Sequence, residues 1–86
     1  MTETRETRIK RLRMRSWRRG IKEMDLILGG FADAELAGLD AATLDAYERL
    51  LEENDWDLYY WVTGAQEAPG PHAALVRRLA AFHKLG

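Results

Sequence analysis

The side chains of this sequence that could do chemistry are two histidines, a run of acids and a knot of arginines around one glycine. His72 and His83 stand eleven positions apart, about three helical turns, too far to share a metal ion. The acids of EENDWD, from Glu52 to Asp57, could approach a cation, but their spacing is not that of a calcium loop, and helix capping accounts for Asp55. There is no cysteine, hence no thiolate ligand, thiol nucleophile or disulfide framework. No nucleophile elbow, phosphate loop or metalloprotease helix occurs. The chain is therefore expected not to be an enzyme, with no catalytic residue and no metal site.

The arginine knot is more informative. It reads RSWRRGIKEMDLILGGF, with Arg15, Arg18, Arg19 and Lys22 crowded around Gly20 and with Glu23 three residues later. One reading is structural: Gly20 is the left-handed residue that ends a helix, and Glu23 lies in the first turn of the next, where the helix dipole favours a carboxylate. The other is a recognition corner. A glycine lets another backbone approach, an arginine fork grips carboxylates or carbonyls, and Glu23 accepts from a partner's donors. The candidate partner-binding residues are Arg19, Gly20 and Glu23, with Arg15, Trp17 and Arg18 beside them. A second stretch, NDWDLYYWV, packs four large aromatics into six residues. Helical periodicity cannot bury Trp56, Tyr59, Tyr60 and Trp61 on one face, so some must line a surface, and Asp57 and Tyr60 join the candidate set.

These residues are positioned by helices. With 47% apolar and 31% charged residues the balance is globular, and β-branched residues never alternate over a strand length. The spacing predicts a first helix over about 4–18, with Ile9 and Leu12 on one line and Met14 and Trp17 on the next. A second runs from about Ile21 and stops at Gly29-Gly30, with Asp33 capping a short turn to Gly38. Asp40 caps a third over about 41–53, with Leu39 and Leu44 spaced as a hydrophobic staple. Asp55 caps a fourth that ends at Gly64, and Pro71 opens a fifth carrying Leu75, Val76, Leu79 and Phe82. The expected fold is all-α, a compact bundle of about five helices in a single domain over 1–86, with residues 1–4 disordered.

Charge is unevenly spread. Residues 1–22 carry nine basic and two acidic side chains, whereas residues 23–67 carry twelve acids against Arg49. Such a dipole suits an oriented protein partner better than nucleic acid. A stripe of Arg8, Arg11, Arg15 and Arg18 beside Trp17 could follow phosphates, or it could pair with the acidic half of the same molecule. No apolar run approaches the ~18 residues that span a bilayer, so no membrane insertion is expected. The Arg-rich start, interrupted by Glu3 and Glu6 and poor in serine, reads as mature protein rather than a presequence.

RSWRRGIKEMDLILGGF, with RGxxE at Arg19-Gly20-Ile21-Lys22-Glu23, followed by YERLLEENDWDLYYWVTG, resembles the SdhE family, also called succinate dehydrogenase assembly factor 2 or FAD assembly factor. The resemblance covers about residues 8–85. It implies a five-helix bundle that binds the flavoprotein subunit of succinate dehydrogenase, in some bacteria also that of fumarate reductase, and promotes covalent attachment of FAD to a histidine of that subunit. It implies that Arg19, Gly20 and Glu23 lie at the partner-binding surface. FAD is attached to the partner, and this chain, which has no dinucleotide glycine loop, is expected to hold no cofactor tightly. The implied location is the cytoplasm of a bacterium or the mitochondrial matrix of a eukaryote. The alternative classes are an antitoxin-like partner of a membrane protein and a small helical nucleic-acid-binding protein.

Overall fold

Thr4 takes extended backbone, and its hydroxyl accepts the amide of Thr7 at 3.1 Å, which starts α1 (Arg5–Trp17). The computed structural model describes residues 3–85 and continues with α2 (Lys22–Glu35), a 3-10 turn (Leu36–Gly38), α3 (Ala41–Leu50), α4 (Asp55–Thr63) and α5 (Gly70–Phe82). The expected disorder over 1–4 falls partly on residues 1 and 2, outside the described residues; at Glu3 the side chain pairs with Arg11 at 2.9 Å. The all-α, five-helix expectation holds.

Several predicted caps are in place. Asp40 accepts from the Thr43 amide at 2.8 Å, with Leu39 and Leu44 both buried beside it, and Gly64 ends α4 at φ 84°. Others move by one residue. Asn54, not Asp55, caps α4 by accepting from the Trp56 amide at 2.8 Å, and α5 begins at Gly70, so Pro71 is its second residue.

The largest departure is in α2, which does not stop at Gly29-Gly30 but runs on to Glu35, with Asp33 inside it. Both glycines serve close packing. A Cβ at Gly29 would overlap the Trp17 indole, and one at Gly30 would lie 3.3 Å from the His83 ring. Glycine costs a helix about 1 kcal/mol against alanine, and here Phe31 and Ala32, both buried beyond the pair, hold the helix in register.

Cross-helix contacts fix the layout. Trp17 lies against Gly29, Arg13 reaches Asp33 and Arg5 reaches the Ala37 and Leu39 carbonyls, so α1 and α2 run antiparallel. Arg8 meets Asp45, Arg11 meets Glu48 and Arg15 meets Glu52, each 37 positions on, so α1 and α3 run parallel. The core is Leu12 of α1, Met24, Leu28 and Phe31 of α2, Leu44, Tyr47 and Leu50 of α3, Leu58 and Val62 of α4, and Leu75, Val76 and Leu79 of α5. Phe82 lies edge-on to Phe31 but stays partly exposed. Ser16 and Tyr47 form a buried polar thread, with Ser16 Oγ donating to the Leu12 carbonyl at 2.8 Å and meeting Tyr47 OH at 2.7 Å. Burial pushes the Tyr47 phenol up to about 12.

Candidate functional site

Arg18 ends α1 and Ile21 opens α2 from extended backbone, which leaves Arg19 and Gly20 as a two-residue corner. Ile21 has no side-chain oxygen to cap α2. Instead the Asp25 carboxylate turns back and accepts the Arg19 amide at 2.6 Å. The Arg19 guanidinium is largely buried, its side chain 11% exposed. Its Nε donates to Asp55 Oδ1 at 2.6 Å, one terminal nitrogen to the Leu51 carbonyl at 2.7 Å, and the other to the Glu53 carbonyl at 2.8 Å. One residue thus ties the α1–α2 corner to the end of α3 and the start of α4, meeting carbonyls that the end of a helix leaves unpaired.

Gly20 completes the clamp, since its amide donates to Asp55 Oδ2. The left-handed conformation of the structural reading is not adopted. Among the glycines of the described residues only Gly64 has positive φ. A Cβ at position 20 would stand 2.8 Å from Asp55 Oδ2, so any larger residue here must push that carboxylate aside. The close approach that glycine permits is therefore made by the chain's own Asp55. Arg19 likewise grips its own chain.

The remaining candidates divide around this corner. Glu23 is in the first turn of α2, exposed, with no hydrogen bond or ion pair among the described residues. Arg18 is exposed on the α1 side and Arg15 pairs with Glu52 at 2.9 Å. Trp17 rests on Gly29 and donates its indole N–H to the Asp33 carboxylate at 3.2 Å, yet stays 40% exposed. Asp57 is exposed in the first turn of α4, and Tyr60, one turn on, packs against the exposed Trp56 with ring centres 6.2 Å apart. The two-faced reading of the aromatic stretch holds, because Tyr59 and Trp61 pack against the core while Trp56 and Tyr60 face out.

The phosphate-following stripe is largely neutralised within the chain. Arg8 bonds Asp45 and Glu48, and Arg11 bonds Glu3 and Glu48. These carboxylates raise the affinity of both guanidinium groups for their protons, while Arg11 holds Glu48 below the usual carboxylate range. His72 meets Glu53 at 3.0 Å and stacks on Trp61; His83 bonds the Ile27 carbonyl at 2.7 Å. Among the described residues, no group of three or more His, Cys, Asp or Glu could hold a metal.

Sequence reasoning missed Asp55 as the corner's anchor and Asp25 as its second support. Two adjacent capping residues, Asn54 and Asp55, were a usable signal, since one helix needs one cap and the other is free to bond elsewhere. Nothing local marked Gly29 as the seat of Trp17, a contact made across two helices.

Residues 10–83 match the protein family described as flavinator of succinate dehydrogenase. The chain belongs to this family. The matched span of the flavinator family runs from mid-α1 past the end of α5, so the whole corner and the aromatic stretch lie inside it. Among its relatives, a protein of Mycosarcoma maydis named succinate dehydrogenase assembly factor 2, mitochondrial, is 47% identical over 68 residues, 79% of this chain and 29% of that protein. Proteins of the same name from Meyerozyma guilliermondii and Schizosaccharomyces pombe are 52% identical over 61 residues and 43% identical over 67. Those alignments take in 71% and 78% of this chain, but 45% and 48% of the relatives. The chain thus spans less than half the length of these relatives.

Proposed function

We propose that this chain is a succinate dehydrogenase assembly factor that binds the flavoprotein subunit and promotes covalent attachment of FAD to a histidine of that subunit, without itself carrying a catalytic residue or holding FAD tightly. The family membership supports this reading. The observation that carries it to a site is the corner: Arg19 and Gly20 are locked to Asp55, and Glu23 beside them is exposed and has no hydrogen-bond or ion-pair partner among the described residues. A carboxylate held on a rigid frame and left unpaired is suited to accept from a partner's donors.

In this reading the attachment chemistry belongs to the flavin and the subunit's own residues. The factor acts by binding one arrangement of the subunit more tightly than others, the arrangement that sets the histidine against the flavin ring. A binder with equal affinity for all arrangements would accelerate nothing. The relatives' names place them in mitochondria. For this chain the corresponding place is wherever the dehydrogenase is assembled, the matrix in a eukaryote or the cytoplasm in a bacterium. The subunit of fumarate reductase is a second candidate partner of the same chemistry.

The test is to mix the purified chain with apo-flavoprotein subunit and FAD and to follow covalent flavin by in-gel fluorescence. Wild type accelerates attachment, and Gly20→Arg, which displaces Asp55 from its bond, does not. Equal rates with and without the wild-type chain, with a folded subunit, would overturn the reading.

A further inference from the structure

Helices α2 and α4 start side by side, because Gly20 is bonded to Asp55, and a hollow of about 320 Å³ opens between them one to two turns further on. Leu26 and Ile27 of α2, Tyr59 and Thr63 of α4, and Leu85 line it, together with the His83 ring and Glu23. That volume is at the low end for a small-molecule pocket and too little to enclose a dinucleotide, but it suits one or two side chains. Leu26 is 54% exposed, an apolar wall with its outer side in water.

Charge says what fits. Asp33, Asp45, Glu48, Glu52 and Asp55 each meet an arginine of this chain. Asp25 is turned inward to the Arg19 amide. Glu23 and Asp57, in the first turns of the two helices that flank the hollow, are exposed and make no ion pair among the described residues. Trp56 and Tyr60, on the same helix as Asp57, expose their rings, and aromatic faces also attract cations.

We propose that this hollow receives an apolar side chain of the flavoprotein subunit that stands beside a lysine or arginine, the apolar group entering between Leu26 and Tyr59 and the cation meeting Glu23. This rests on the docking role proposed above and adds the chemistry of the segment that docks. The apolar group supplies burial and the cation supplies register, which is the division expected of an anchor in a pocket with a charged rim.

The experiment is calorimetric titration of apo-flavoprotein subunit with the full chain at low and moderate salt. Leu26→Arg replaces the apolar wall with a cation at a position already exposed, so the fold survives. It is expected to weaken binding by about tenfold or more, the effect of losing one anchor. Thr63→Trp, which fills the hollow from its α4 side, is expected to do the same, and Glu23→Gln is expected to flatten the salt dependence. If Thr63→Trp unfolds, through loss of its bond to the Tyr59 carbonyl, Leu26→Arg still decides. Wild-type affinity for Leu26→Arg would overturn this inference alone. Absence of any binding by the wild-type chain would overturn the docking role and the inference together.

Discussion

The seam between α1 and α3 and the face between α2 and α4 carry similar side chains to opposite ends. On the seam, arginines of α1 meet acids of α3 in register, and both signs are consumed inside the molecule. By contrast, Glu23 and Leu26 of α2 line that face and are exposed, and Trp56, Asp57 and Tyr60 of α4 are exposed as well. The corner at Arg19 and Gly20 belongs to both, since it is built like the seam and stands at the edge of the face. Charged residues clustered in a sequence are therefore not yet a binding surface. What separates the two regions is whether the fold has already supplied the counter-charge.

If that contrast is right, substitutions should split into those that cost stability and those that cost binding. The largest effect is expected at Arg19. Arg19→Ala removes three donors and leaves Asp55, whose side chain is 15% exposed, without its cation. A loss of about 3–5 kcal/mol in urea-unfolding free energy is expected, and a loss under ~1 kcal/mol would show that the clamp is not structural. Next is Tyr47→Phe, expected to cost about 1–2 kcal/mol by breaking the thread to Ser16.

The phenol also gives a pH test. Its folded value is raised from 10.0 to about 12, so its contribution to stability is whole below pH 10 and is lost as pH rises from there through the folded value. Alkaline unfolding of wild type should therefore be steeper than that of Tyr47→Phe. The smallest effect is on the seam. Glu48 lies below its ordinary value of 4.5, chiefly through its bond to Arg11. Its contribution is present above that value and lost as pH falls through the lower folded one. Because Glu48 is partly exposed, the loss should stay under ~1 kcal/mol, read as the difference between wild type and Glu48→Gln in unfolding at acid and neutral pH. A flat difference would mean the seam's ion pairs contribute nothing.

The helices were legible in the sequence because capping and 3.6-residue spacing are local: Asp40 with Leu39 and Leu44, the Leu75, Val76 and Leu79 stripe, and Gly64 all do what their neighbours imply. The length of α2 was not legible. Gly29-Gly30 carries a stop signal that is overridden by Trp17 and His83, which arrive from α1 and from the residue after α5. The corner's residues were legible as a cluster, but their internal bonds were not. Arg19, Gly20 and Glu23 do sit at one corner, yet Arg19 and Gly20 face Asp55, 36 and 35 positions on. No spacing rule in RRGIKE points to a residue that distant. Only the pairing of Asn54 and Asp55 hinted that one of them had other work.

In the proposed function, Arg19, Gly20 and Asp55 frame the corner and Glu23 touches the partner. The most direct measurement is the affinity of Glu23→Ala for the apo-flavoprotein subunit, read beside its unfolding free energy. Stability unchanged within about 0.5 kcal/mol, with binding weakened about tenfold or more, is the predicted result. Wild-type affinity in Glu23→Ala would contradict the claim.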